Sequence, residues 1–396
     1  MNRKNLKNKN DGFTLVELII AIVIIGILTI IITISYVGVA KRAAGESIKA
    51  DLLAASSELT KFKADRGVYP TTIQCDIPDS ATNKCIKKSS PDIEFKYNVN
   101  TDTSPDTYGL TAIKNNDNNL SYRTASGSEP IPCLVGYIVV PGSSTYGTGS
   151  FCVMKYEAKN DGGNVPVSTP TGFPWVNINQ TDAITSGSNV AGCTGCHLVS
   201  EAEWMTIAQN VLGVPSNWRD NIVGTSISST NYIYSGHNDN IPARALVAST
   251  DNLGYYDTGN SAPSTQRRTL TLTNGEVIWD LAGNVCEWTS GQVSGANNQP
   301  GITNGDYALR QWSDILTNSG NLAVNPFPAN TGLLGADTWG SNNGIGKVVS
   351  STIDPSLRGF ERGSYWGAGE NVGILMLEFG DAPSFANNAV GFRVTR

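Results

Sequence analysis

Leu18 to Ala40 is a run of twenty-three residues without a charged side chain, and it constrains this chain more than any other segment. As a helix, at about 1.5 Å per residue, it spans roughly 35 Å, enough to cross a bilayer with some tilt. Arg3, Lys4, Lys7 and Lys9 precede it, a positive flank of the kind retained on the cytoplasmic side. Glu17 stands at the mouth of the run, where a carboxylate is costly and needs a partner. A cleaved secretory signal would have an apolar stretch of only about 7–15 residues with a small-x-small site behind it. This run is far longer.

The string Gly12-Phe13-Thr14-Leu15-Val16-Glu17 resembles the processing site of type IV prepilins and pseudopilins. The resemblance implies a leader, residues 1–12, removed by a prepilin peptidase that cuts after Gly12. It implies a mature chain beginning at Phe13, methylated on its new N-terminal amine. It further implies that Glu17 pairs with the N-terminal amine of a neighbouring subunit during assembly. The chemistry agrees, because a buried carboxylate selects for a buried ammonium across a subunit contact.

Charged residues make up 16% of the 396-residue chain, the net charge is −6, and no basic stripe follows the leader. These values argue against a nucleic-acid-binding face. The length suits two or three domains. Gly, Asn, Ser and Thr are abundant after residue 98, which fits loop-rich extracellular β structure. Seven cysteines in a chain that must cross a membrane imply disulfides. Cys75 with Cys85, and Cys133 with Cys152, are close enough in sequence to close small loops. Cys193-x-x-Cys196 is either a tight disulfide or half a metal site. With no second C-x-x-C and only His197 and His237 besides, structural zinc has too few ligands. Cys286 is the odd thiol, and its pairing with Cys193 or Cys196 is equally open.

Residues 13–128 read as one long helix followed by a small sheet. Ile48, Leu52, Ala55, Leu59 and Phe62 recur at spacings of four and three, one face of a helix. Lys61, Lys63 and Arg66 crowd a last turn, Gly67 follows and Pro70 lies beyond, a stop signal. The spacing predicts a helix over 13–66 whose second half needs a partner sheet. Strands are expected at 95–99, 108–113 and 120–123, the last two joined by the Asn/Asp cluster 115–119. A long helix on a small antiparallel sheet is an α+β arrangement. It is similar to the pilin head, including Gly67-Val68-Tyr69-Pro70-Thr71 directly after the helix.

Gly127-Ser128-Glu129-Pro130 reads as a short linker, and residues 129–396 as a second domain. Ser200 with Glu203 three residues on is a capping box ahead of an apolar-periodic stretch. Phe151 to Glu157, Leu198 to Trp204, Trp279 to Trp288, Arg362 to Trp366, and Gly391-Phe392-Arg393-Val394 follow in order along this region. Together they resemble the formylglycine-generating-enzyme-like domain, a variant of the C-type lectin fold. Cys286 departs from that pattern, which has an aromatic there.

The chemistry of that family cannot be assembled from these residues. Its copper-dependent members carry a cysteine pair just after an Arg-Gly-Gly-Ser-type motif, whereas residues 363–396 contain no cysteine. Its iron-dependent relatives need three histidines, and this chain has two. No nucleophile elbow or orienting acid flanks either histidine, and His197, beside Cys196 at a helix entry, reads as structural. No catalytic residue and no metal ligand is assigned, so the domain reads as a binding module rather than an enzyme. Calcium-dependent sugar binding relies on triplets such as Glu-Pro-Asn, and none occurs here. Apart from a structural calcium near Asn284 or the Asn/Asp-rich loops, for which the spacing gives no support, no cofactor is implied.

Residues 363–396 also resemble the variable region of proteins diversified by reverse-transcriptase retroelements. Those proteins use the same lectin-like fold and end in a similar Gly-Phe-Arg segment. The apolar frame would be Val372, Ile374 and Met376 (or Leu375 and Leu377, depending on the face), with Val390 and Phe392. By type and spacing, Tyr365, Trp366, Glu370, Glu378, Phe379, Asp381 and Phe385 are expected to face a ligand. Large aromatics mixed with acids on loops suit a protein-binding patch.

The expected molecule is a processed, single-pass, minor or tip pilin-like subunit of the cytoplasmic membrane, later carried outside the cell in a pilus. Its N-terminal helix stacks with other pilin subunits in a helically repeating assembly. Its lectin-fold domain binds an extracellular protein or glycan. The alternatives are a pilus- or pseudopilus-displayed enzyme and a structural pseudopilin of a type II secretion system.

Overall fold

A computed structural model describes residues 15–100, 106–114, 117–126, 130–223, 231–251, 266–294, 308–310, 344–350 and 356–396. Gly12 and Phe13 lie outside them, as do the side chains of Glu17 and Glu370. The chain divides into two compact units, Met1–Ser47 and Ile48–Arg396. Helix α1, Leu15–Arg66, contributes to both. Among the described residues no helix is long and apolar enough to cross a membrane; most side chains of the uncharged run lie outside the described set.

In the second unit, α1 is held by its predicted face. Ile48, Leu52, Ala55, Leu59 and Phe62 are all buried, and the first four cluster with Ile93, Tyr108, Leu110 and Ala112 of a facing sheet. Burial of each large side chain stabilises by about 1.5–3 kcal/mol. The helix stops at Gly67, whose φ of +82° suits a residue without Cβ. Its N–H closes on the Lys63 carbonyl at 2.7 Å. The Tyr69-Pro70 step is pinned rather than loose: Tyr97 donates its hydroxyl to the Pro70 carbonyl, and Tyr69 packs edge-on against Tyr108.

That sheet is antiparallel, β1 (Ile93–Asn100), β2 (Thr107–Lys114), β3 (Asp117–Ala125) and β4 (Ile131–Pro132) in spatial order. The three expected strands form, each longer than its sequence signal. The short β4 adds to them across the expected linker, with Tyr122 opposite Pro132. An edge strand tolerates the missing proline N–H.

Beyond it come β5 (Tyr137–Val140), β6 (Phe151–Met154), β7 (Lys159–Asn160), β8 (Pro166–Val167), α2 (Gln180–Ser188), β9 (His197–Leu198) and α3 (Glu201–Leu212). There follow β10 (Thr269–Thr271), β11 (Val277–Trp279), β12 (Cys286–Ser294), β13 (Ala308–Arg310), β14 (Val348–Ser350), β15 (Leu357–Gly363), β16 (Gly373–Glu378), β17 (Val390–Phe392) and β18 (Val394–Thr395). The largest sheet has the order β13-β14-β16-β15-β12-β17, and a second has β5-β6-β18-β9. None of the sheets of the described residues closes into a barrel, and the whole is a mixture of helices and small, largely antiparallel sheets. Cys152 and Arg396 exchange both backbone hydrogen bonds, each 2.9 Å.

The Ser200–Glu203 capping box forms and starts α3. The helix buries Trp204, Met205, Ile207, Ala208, Val211 and Leu212, and Trp204 donates its indole N–H to the Ile374 carbonyl of β16. Three disulfides are present, Cys75–Cys85, Cys133–Cys152 and Cys193–Cys196. The open choice for Cys286 closes in favour of a free, buried thiol.

Candidate functional site

The sequence segments that carry the lectin-like resemblance form the frame on which the C-terminal surface rests. Three arginine–carboxylate pairs lie inside: Arg268–Asp280, Arg362–Glu201 and Arg393–Glu287. Each guanidinium also donates to backbone carbonyls; Arg393 reaches Met154, Lys155 and Trp279. A buried pair survives desolvation only when its remaining donors are matched in this way. Asp280, Gly283 and Asn284 all take positive φ, which coils the Trp279–Trp288 segment tightly. Asn284 accepts the Leu246 N–H at 2.6 Å and donates to Glu157 at 2.7 Å. Its side-chain oxygen is therefore committed to the backbone. Burial pushes Glu157 up to about 8, with the charge of Asp280 adding to the effect.

The residues expected to face a ligand fall into different environments. Tyr365 and Trp366 are half-buried and meet edge to face with centroids 5.5 Å apart. The Trp366 indole nitrogen is buried without a hydrogen-bond partner among the described residues. Asp381 and Phe385 are half-buried on the segment between β16 and β17. That segment is pinned by backbone bonds from Gly359 to Asp381 and from Gln180 to Pro383. Phe379 requires a correction. It is fully buried, packed against Phe360 in the main core, because alternation along β16 puts it on the same side as Leu375 and Leu377. The two proposed frames are both right: Val372, Ile374, Leu375, Met376 and Leu377 are all buried, since the strand is covered on both faces. Val390 and Phe392 are buried with them.

Glu378 meets partners that lie far from it in sequence. On β15 and β16, Glu361 stands opposite Glu378; on β12 and β15, Trp288 stands opposite Glu361. Cys286, two residues before Trp288, projects to that same side. One ligand atom from each of Cys286, Glu361 and Glu378 lies within 4.8 Å of the other two. Burial pushes the Glu361 carboxyl well above its ordinary range, and Glu378 and Asp381 add to it. Burial likewise raises the Cys286 thiol, aided by Glu361 and Glu378. Asp381 is raised by burial, with Arg358 pulling it back. This is the set of described side chains able to hold a cation, and counting C-x-x-C motifs and histidines passes over it.

The two histidines are elsewhere. His197 joins Glu203 at 3.0 Å and the Gly195 carbonyl at 2.9 Å, tying the Cys193–Cys196 turn to α3. His237 is fully buried, with Nε2 on the Pro242 carbonyl. A cavity of about 310 Å³ lies between β1–β3 and the start of the second region, lined by Lys96, Arg123, Tyr137 and Lys155 among others. Burial holds Lys155 below the usual lysine range, and Arg123 adds to the effect.

Comparison with known proteins bears on the N-terminal part. The family model for the prokaryotic N-terminal methylation motif matches residues 7–33. Type II secretion system core protein G of Dickeya chrysanthemi is 33% identical over 69 residues, that of Aeromonas hydrophila 35% over 68, and that of Vibrio cholerae 36% over 66. Each match covers 17% of this chain and 45–48% of the relative, so the chain spans just under half the length of the curated relatives it matches. The N-terminal region thus carries a prepilin methylation motif and is similar to a type II secretion pseudopilin. Among solved structures, Treponema denticola variable protein 1 aligns with 76% of this chain and 98% of its own at 14% identity. A TM-score of 0.27 is too low to assign a shared fold.

Proposed function

We propose that this chain is a minor or tip subunit of a type IV pilus-like filament, displaying its second region outside the cell as a binding domain of the lectin-like class. The supporting observation is the methylation motif over residues 7–33 at the head of α1, whose second half is packed on an antiparallel sheet. In this reading a prepilin peptidase cuts between Gly12 and Phe13, and the N-terminal helix anchors in the membrane before stacking with other pilin subunits. Glu17 guides docking by neutralising the incoming Phe13 amine. Half-buried Tyr365 and Trp366, with Asp381 and Phe385 on the pinned segment, supply the ligand surface for a protein or glycan. Whether that stretch is diversified is read from the genome: a near-repeat of the codons for 363–396 beside a reverse transcriptase supports it. No catalytic role is assigned.

A second reading, a structural pseudopilin of a type II secretion system, is favoured by the names of the curated relatives. Glu17→Ala separates assembly from insertion: the variant should enter the membrane normally but be depleted from filaments. Normal incorporation would sink the role given to Glu17. Trp366→Ala with Asp381→Ala then separates the two readings. Loss of cell adhesion with filaments and export intact supports display; loss of export with adhesion unchanged supports the pseudopilin.

A further inference from the structure

We infer that Cys286, Glu361 and Glu378 form a binding site for one divalent transition-metal ion of the Zn²⁺ class. The inference stands on side-chain geometry and is independent of the adhesion reading. Antiparallel pairing puts Glu361 directly across from Glu378, and Cys286 diagonal to Glu361 on the adjoining strand. The three ligand atoms already lie within 4.8 Å of one another. About a tetrahedral zinc the sulfur–oxygen separation is roughly 3.6 Å, so closure on an ion needs only small movements.

A second observation points into the same place. Glu361 is 2% exposed; its carboxyl meets the Cys286 thiol, but its Oε1 is buried with no hydrogen-bond partner among the described residues. A carboxylate oxygen left so costs free energy unless something meets it. The nearby arginines are otherwise placed: Arg362 points to the opposite side of β15, where Glu201 holds it, and Arg358 acts on Asp381. Cys286 and Glu361 are buried and Glu378 is half-buried beside them; a thiol and a carboxyl so placed favour retained protons or a cation. Burial raises both Glu361 and Cys286, and a divalent ion would displace those protons to solvent.

The donor set chooses the ion. Thiolate sulfur with carboxylate oxygen suits a borderline ion such as Zn²⁺, whereas Ca²⁺ and Mg²⁺ want oxygen alone. Three protein donors leave the fourth position of a tetrahedral ion to a water. The site also accounts for the odd cysteine: the other six are joined in three disulfides, and Cys286 alone remains a thiol. An ion here would clamp β12, β15 and β16 beneath the segment that carries Asp381 and Phe385.

The test uses the full chain, purified in detergent without reductant, stripped with a chelator and titrated with Co²⁺ and Zn²⁺ alone. With Cys286 the single free thiol, a sulfur-to-cobalt charge-transfer band in the unmodified protein can arise only from this site. The expected result is that band, one equivalent of metal, and displacement of Co²⁺ by Zn²⁺. Glu361→Gln should weaken binding about tenfold or more, and Cys286→Ser should abolish the band. No band and no stoichiometric metal in the unmodified protein would overturn the inference, whatever the variants do. Equal Zn²⁺ affinity in a folded Cys286→Ser protein would overturn it as well.

Discussion

Arg123 on β3 grips Glu276 in the β10–β11 turn, 153 residues further along the chain. Gly275 beside it takes a φ of +83°, and a Cβ there would lie 2.2 Å from the Thr107 hydroxyl. The helix-bearing head and the second region therefore meet through a partly buried ion pair seated beside a glycine.

Breaking that pair should loosen the joint. Glu276 is 1% exposed and the Arg123 side chain 15%; because Arg123 keeps the Thr111 hydroxyl, losing Glu276 costs about 3 kcal/mol, the low end for a buried pair. Glu276→Ala is expected to lower the unfolding free energy by that amount and to speed proteolysis near residues 126–137. Gly275→Val should act in the same direction. An unchanged denaturant midpoint in both variants would show that the joint carries no stability.

Phe379 and Trp366 should behave in opposite ways. Phe379→Ala removes a fully buried ring from the main core and should cost about 3–5 kcal/mol. Trp366→Ala, at a half-buried position, should cost less, and it should impair ligand capture where Phe379→Leu does not. Equal destabilisation by the two alanine variants would count against this division.

Cys133–Cys152 closes a short loop, with a sequence separation of 19, at the entrance to the second region. The double Cys→Ser variant should lose roughly 3 kcal/mol in the chain-entropy account. Calorimetry on the oxidised and double-variant proteins measures it directly.

The His197–Glu203 pair predicts an alkaline effect. The Glu203 hydrogen bond raises His197 to about 9 from an ordinary 6.5. Its stabilisation is complete below about 6.5 and disappears as pH rises through about 9. Burial lifts Glu203, but His197 and Ser200 more than offset it and hold it below 4.5, so the carboxylate's share fades only on acidification. The His197 side chain is 46% exposed, and solvent screening keeps the effect below roughly 1 kcal/mol. The unfolding midpoint should fall from pH 7 to 10 in the parent protein and vary less in His197→Gln.

Local rules made the helical part legible. The glycine stop of α1 and the Ser200 capping box are contacts between residues three or four apart, and the buried face of α1 repeats at that same spacing, so the sequence displays them directly. Phe379 was legible too, because the alternation that buries Leu375 and Leu377 continues one step past β16; residue type outweighed that signal. The thiol–carboxylate group was not legible. Cys286, Glu361 and Glu378 come from three strands, and only register brings them together. The two-residue β4, carrying a proline, gave no pattern to read.

The paired backbones of Cys152 and Arg396 have a consequence for rearranging this molecule. With Cys133 disulfide-bonded to Cys152, the entrance of the second region and its last strand lie along one seam. Its outer loops can lengthen or change without altering the gap its host must bridge. A module so arranged presents its entrance and its β18 side by side, and moving it into another scaffold would require that scaffold to replace the Arg123 partner of Glu276.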